Sequence, residues 1–205
     1  MKTYDVELTF IEPMLGTVPK DKELYSNFIA SKAPAKEDGE EEVATVQEME
    51  EKGWTGFHAF PDGSPLIYDY MIKGFFKDAC SMLSRVSGRK VKGEERVPKN
   101  NSSKIRAFKK VIDGMVFIKP RQIKIELSGE MGVLERPLRA MTPQGERVCL
   151  ARSDMVPAGS KIRFKVLVLG EVDEDTLREW FEYGALRGLG QWRNASYGSF
   201  NFVMQ

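Results

Sequence analysis

The stretch that most constrains this chain is its C-terminal run Gly184 to Phe202, GALRGLGQWRNASYGSFNF. Leu177, Trp180, Phe181 and Ala185 recur at helical spacing, Gly188 and Gly190 follow at once, and Gly198 opens the alternation Phe200, Phe202, Met204. The order is helix, glycine-rich loop, strand. Glycines are expected where a backbone takes positive φ or another backbone comes close, and a loop leaving a helix needs them for capping. Between them stand Gln191, Trp192, Arg193, Asn194, Ser196 and Tyr197, which offer a guanidinium, flat rings and side-chain hydrogen bonds. Such a loop can hold a phosphate chain or stack a base. The plainer alternative is that the glycines only stop a helix, the two rings fill a corner and Arg193 is solvated.

At the other end Tyr4, Val6, Leu8 and Phe10 alternate with polar residues, which predicts a strand with one face on a core. Ile162, Phe164, Val166 and Val168 predict another after the turn Pro157-Ala158-Gly159. Met115 to Leu127 reads as a strand pair turning at Lys119-Pro120-Arg121, and Leu138 to Leu150 as a pair about Thr142-Pro143-Gln144-Gly145. Asp173 is placed to cap the last helix, with Asp175 favourable near its N-terminus. Gly53 to Pro65 carries the turn signal Pro61-Asp62-Gly63 and reads as a hairpin or ordered loop.

A chain of 205 residues, 41% hydrophobic, can bury a real core without disulfides and fits one domain better than two. Cys80 and Cys149 are the only cysteines, so no zinc spacing exists and neither metal nor cofactor is expected. The N-terminus lacks an apolar leader and no stretch approaches a membrane span, which predicts a cytoplasmic protein. The net charge of +1 hides two opposite blocks. Residues 37 to 51 hold eight acidic side chains and no basic one, while Arg85 to Lys124 holds thirteen basic against three acidic. The acidic block reads as a solvated helix or mobile arm, with nucleic-acid mimicry as its functional alternative, and 87 to 103 as a long mobile basic loop. Asp21 to Ser31 has a short helix's spacing.

Leu66 to Val86 contains a helix from about Ile67, with Met71, Phe75, Ala79, Met82 and Val86 predicted on its buried face and Cys80 on the apolar side. Lys73 and Lys77 lie one turn apart on another face, as solvated lysines or phosphate contacts. Gly74 in mid-helix costs about 1 kcal/mol relative to alanine, a cost that a close backbone approach would explain.

The core of that helix, Ile72-Lys73-Gly74-Phe75-Phe76-Lys77-Asp78-Ala79, resembles the lysine-glycine helix found early in the RAMP superfamily, the RNA-binding proteins of CRISPR interference complexes. Gly188, Gly190, Gly198 and Phe200 resemble the superfamily's C-terminal glycine-rich loop, and the motifs come in the same order. Glu146 to Leu169 is similar to the middle of its backbone-type members, so the resemblance runs from Thr3 to Phe202, apart from an insertion at about 13–65. It implies an α+β, ferredoxin-like (RRM-like) antiparallel sheet with helices on one face, in a single domain of residues 1–205. It also implies binding of single-stranded RNA, with Lys73, Lys77, Gly188, Gly190, Gln191, Trp192, Arg193, Asn194, Tyr197 and Gly198 as the candidate contacts.

Self-association and contact with CRISPR effector subunits are the further partners the resemblance implies. Two other readings stay open. One is a RAMP-type endoribonuclease, although His58, the only histidine, shows no orienting partner in sequence, and Asp21, Asp38 and Asp154 are candidates by type alone. The other is a phage-encoded protein that interferes with a host CRISPR complex, because the chain also resembles proteins carried by bacteriophages.

Overall fold

The computed structural model describes residues 1–20, 54–86, 100–142, 145–170 and 172–205, apart from the side chains of 138–142 and 145–149. The helix expected at 21–31, the acidic block 37–51 and residues 87–99 of the basic loop expected at 87–103 lie outside the described residues, whereas the end of that loop is ordered, with Ser102 buried at the start of a 3-10 turn, Ser102–Lys104. The strands are β1 (Lys2–Phe10), β2 (Met14–Leu15), β3 (Val18–Pro19), β4 (Trp54–Gly56), β5 (His58–Ala59), β6 (Pro65–Tyr68), β7 (Val116–Lys119), β8 (Gln122–Glu126), β9 (Gly132–Thr142), β10 (Gly145–Val156), β11 (Lys161–Val168) and β12 (Phe200–Met204). The helices are α1 (Asp69–Leu83), α2 (Phe108–Met115) and α3 (Glu174–Arg187).

The main sheet runs β12-β1-β11-β8-β6-β5, with β7 also on β11. Each of its pairings is antiparallel. The register aligns Val6 with Phe164 and Met204, and Phe10 with Phe200, so the alternating apolar residues of β1, β11 and β12 share one face. The helices cover that face. Phe76 of α1 lies 5.2 Å from Trp180 and 5.3 Å from Phe181 of α3, centroid to centroid, and all three are fully buried. Each such ring contributes about 1.5–3 kcal/mol through burial. The Trp180 indole N–H donates to Ser102 Oγ at 3.0 Å, so the largest core side chain buries no unsatisfied donor. The result is a mixed α+β fold, its main sheet antiparallel with helices on one face, consistent with a ferredoxin-like arrangement.

The expected turn at Lys119-Pro120-Arg121 is not a hairpin. Ile118 pairs with Val166 and Ile125 with Ile162, so β7 and β8 both run along β11 as one strand broken at Pro120-Arg121. Proline has no N–H to give the ladder, and the extra residues at the break switch the buried positions from Val116 and Ile118 to Ile123 and Ile125. The bond between Lys119 and Pro120 is cis.

Helix α1 is also shorter than its pattern suggests, because Leu66 and Ile67 belong to β6. Its buried stripe is Ile72, Phe75, Phe76, Ala79 and Cys80, while Met82 and Val86 are exposed. The stripe that wins is the one that brings Phe76 against α3. Burial pushes the Cys80 thiol up to about 11, which keeps it a protonated core side chain.

A second sheet, β2-β10-β4-β3 with β9 on β10, grows from the long β9–β10 hairpin. Its register closes at Thr142 opposite Gly145, as expected, but the hairpin reaches back to Gly132 and on to Val156. Strand β2 joins β10 through Met155 opposite Leu15, and β4 joins it in parallel through Arg152 opposite Trp54. This sheet meets the glycine-rich loop.

Candidate functional site

Asp173 caps α3 by accepting from the Thr176 backbone N–H at 2.9 Å, and the Thr176 hydroxyl, then this N–H, hold its carboxyl below the usual range. The helix ends at Gly188, whose N–H donates to the Gly184 carbonyl at 2.7 Å. Beyond it the loop is fastened by backbone bonds from Leu189 to Gly198 (2.9 Å), Gly198 to Pro13 (2.8 Å) and Gln191 to Leu15 (3.3 Å). Gly198 has φ +73° and any side chain there would collide with the Leu189 carbonyl. A Cβ on Gly190, at φ +87°, would stand 2.6 Å from the Leu15 carbonyl oxygen. These two glycines let the loop lie against itself and against β2.

Rigid anchoring continues through side chains. Gln191 Oε1 accepts from Thr55 Oγ1 at 3.1 Å and from Ser153 Oγ at 2.9 Å, which ties the loop to β4 and β10. Next to this tie Asp154, 8% exposed, accepts from Lys20 and from the Trp54 indole N–H, both at 2.8 Å. The Lys20 ammonium also lies 4.3 Å from the Trp54 ring centroid. Arg152 Nε comes within 2.8 Å of Glu135 Oε1, at ion-pair distance but out of line for a hydrogen bond.

What the loop presents outward is a cation–aromatic cluster. Trp192, at φ +54° and 42% exposed, stacks on Tyr197 with centroids 5.3 Å apart and planes 15° from parallel. The Arg136 guanidinium of β9 lies 4.5 Å from the Trp192 ring centroid, and its Nε is shut off from solvent without a hydrogen-bond partner among the described residues. Arg193 donates to Asp78 of α1 at 2.9 Å, Arg187 approaches the same carboxylate at 3.9 Å and also donates to Asn194 Oδ1. Among the described residues, Asp78 is the carboxylate that Arg187 and Arg193 share, and Arg136 lies on the Trp192 ring without one.

Between α1 and the loop lies a groove of about 250 Å³ lined by Met14, Met71, Gly74, Phe75, Leu189 and Arg193, among others. Gly74 makes no close approach, since a Cβ there would meet nothing within 4 Å. Its missing side chain leaves the groove open instead. Lys73 and Lys77 face another way: Lys73 donates to the Asp113 carbonyl at 3.2 Å and Lys77 pairs with the Asp113 carboxylate at 2.6 Å. The structure therefore brings together Gly188, Gly190, Gln191, Trp192, Arg193, Asn194, Tyr197 and Gly198, but sets Lys73 and Lys77 against α2.

The open face of the main sheet carries a different kind of charge. Glu7 accepts from Lys161 at 2.7 Å and Arg163 at 2.6 Å, Arg163 also pairs with Glu126, and Lys165 lies 3.2 Å from Asp5. Hydrogen bonds from Lys161 and then Arg163 hold the Glu7 carboxyl below the usual range. His58 meets Tyr68 edge-on at 4.7 Å, and its burial lowers its pKa. No group of three or more His, Cys, Asp or Glu among the described residues could hold a metal ion, and no helix among them is long and apolar enough to cross a membrane.

Arg136, Asp78, Thr55 and Ser153 were not legible as site residues. Only the register of β9 on β10 brings Arg136 to the loop, and no local pattern announces that. Asp78 had a faint signal, one turn beyond Gly74 on the same side of α1.

No family model matches the chain, and no curated protein matches its sequence. Among solved structures it is similar to a chain of a type III-B Cmr-beta complex bound to cognate target RNA, at 14% identity and a TM-score of 0.55. The match covers 99% of this chain and 59% of that one, so this chain spans less than two thirds of its length. A chain of a type IV-B CRISPR complex is matched over 100% of this chain and 90% of that one, at 12% identity and a TM-score of 0.46. The similarity to the Cmr-beta complex chain is remote and is one of fold.

Proposed function

We propose that the chain is a RAMP-type protein that binds single-stranded RNA without regard to sequence, and that it works by binding rather than cleavage. The observation that carries this reading is the cluster that Arg136 of β9 forms with Trp192 and Tyr197 of a loop whose backbone is fixed at both ends. A base stacked on an aromatic side chain gains about 1–3 kcal/mol whatever its identity, because every base has a π-face. Guanidiniums in excess of carboxylates meet the phosphates, each offering a planar fork that matches two phosphate oxygens. Little ordering is left to be done on binding, since Gln191, Gly190 and Gly198 already hold the loop in shape.

The fold similarity to a chain of the RNA-bound Cmr-beta complex supports the same reading, and it makes CRISPR effector subunits or further copies of this chain the protein partners to test. Asp154, the described acidic candidate for a nuclease, is held by Lys20 and Trp54, a bonding pattern that suits a structural strut.

The test is fluorescence anisotropy with short labelled single-stranded RNA. Trp192→Ala is expected to weaken binding about tenfold or more, the loss of one stack, with little change in affinity between RNAs of different sequence. Unchanged affinity in Trp192→Ala and in Arg136→Ala would remove the loop from the interface.

A further inference from the structure

The open face of the main sheet changes character beyond the break at Pro120. On the β11 side Lys161, Arg163 and Lys165 each have a carboxylate partner. At the break and on β8 the exposed Arg121 and Lys124 form no ion pair among the described residues. Lys124 acts on Asp62 through space, helping to hold its carboxyl below the usual range after the Ser64 hydrogen bonds, and that carboxylate already accepts from Ser64 N at 2.9 Å and from its hydroxyl at 2.6 Å.

Beside these cations stand aromatic rings that the core does not use. Tyr68 stacks on Tyr70 at 5.5 Å with planes 14° apart and takes His58 edge-on at 4.7 Å, while Phe60 has no ring partner among the described residues. Register explains the placement: Tyr68 lies opposite Gln122 and Leu66 opposite Lys124, which puts Tyr68, Gln122 and Lys124 on the face away from the helices. The turn Phe60 to Ser64 closes the hairpin above them, and the Asp69 N–H donates to the Arg121 carbonyl at 2.9 Å, fixing the break to the start of α1. Phe60, Tyr68, Pro120, Arg121 and Gln122 enclose an open cleft of about 620 Å³, a size suited to a small planar ligand.

We propose that this cleft binds one nucleotide unit, separately from the glycine-rich loop. The base lies against Phe60 and Tyr68, the phosphate meets Arg121, with Lys124 beside the cleft on the same face, and the Gln122 amide, with both donors and an acceptor, faces the base edge. The surface is nucleotide-like in its demands because it joins flat rings to cations that form no ion pair among the described residues, whereas the β1–β11 half of the same face joins cations to acids. A free nucleotide and a nucleotide within a strand present the same chemistry.

Backbone amide resonances of the full chain, followed during titration with AMP and, separately, with a short single-stranded RNA, distinguish the sources. Shifts at Tyr68, Arg121 and Gln122 with AMP identify a free-nucleotide site, and shifts there with RNA alone identify a strand contact. Arg121→Glu, an exposed substitution, is expected to weaken either response roughly tenfold or more, the loss of a charge-assisted contact together with a new repulsion. It should leave shifts at Trp192 and Tyr197 in place, so a failure of the loop reading and a failure of the cleft are read at different resonances. No shift at Tyr68, Arg121 and Gln122 with either probe, shifts that survive Arg121→Glu, or a response to polyglutamate peptide equal to that with AMP would overturn the proposal.

Discussion

Cations gather both on the open face of the main sheet and at the glycine-rich loop, and the two places use them in opposite ways. On the open face of β1 and β11, Lys161, Arg163 and Lys165 are matched by Glu7, Glu126 and Asp5 across neighbouring strands. At the glycine-rich loop Arg136, Arg187 and Arg193 have, among the described residues, Asp78 alone between them, and Arg136 leans on a half-exposed indole. Charges interleaved strand by strand support a sheet and largely cancel at a distance; an excess held over aromatic rings attracts an anion that has a flat group to stack. The net charge of +1 averages over this difference and hides it.

Reversing charge is the harshest way to break the comparison. Arg136→Glu is expected to reduce affinity for single-stranded RNA more than about tenfold, since it removes one charge-assisted contact and adds a repulsion. Lys165→Glu, on the paired face, should change it less than about twofold. Equal losses in the two variants would mean that affinity follows net charge and not the loop.

Salt sharpens the same point. If the loop cations meet two or three phosphates, log affinity should fall with log salt at a slope of about −0.7 for each, so roughly −1.5 to −2 in the unaltered chain and shallower by about 0.7 in Arg136→Ala. A slope unchanged by Arg136→Ala would show that this guanidinium touches no phosphate.

Acid should act on the paired face through stability. The Glu7 pKa is lowered in the folded chain, so its contribution is present above the ordinary carboxylate pKa and is lost as pH falls through the lower folded value. Thermal midpoints are expected to drop between about pH 5 and pH 3, and Glu7→Gln should flatten part of that slope. A Glu7→Gln profile parallel to that of the unaltered chain would leave the pairing without energetic weight.

The smallest effect is expected at Asp78. Asp78→Asn releases Arg193 and Arg187, at a cost in stability of about 1 kcal/mol or less for a partly exposed pair. RNA affinity should rise a few-fold, because the competing carboxylate is gone. A fall in affinity would show that Asp78 aims Arg193 and does not merely restrain it.

The frame of the fold was legible because it rests on local periodicity. Tyr4 to Phe10, Ile162 to Val168 and Asp173 with its helix announce themselves within a few residues, and the structure has them as read. What escaped depends on register and on competition between faces. Pro120 looks like a turn until Ile118 and Ile125 are found on the same neighbour, and Met82 looks buried until Phe76 takes the contact with Trp180. Half of the site was visible as a glycine-rich loop carrying Gln191, Trp192, Arg193 and Tyr197. The other half, Arg136, Thr55 and Ser153, arrives on a second sheet from far along the chain, and no spacing records that.

The central claim is that RNA stacks against Trp192. Tryptophan fluorescence reads this directly, because Trp180 is fully buried, Trp54 is half-buried with its indole N–H on Asp154, and Trp192 is the exposed member of the three. Titration with single-stranded RNA at low salt should quench the emission of the unaltered chain, and Trp192→Phe should bind with nearly the same affinity while losing most of that quenching. Quenching that persists in Trp192→Phe, or tight binding with no quenching in the unaltered chain, would place the RNA elsewhere and contradict the account.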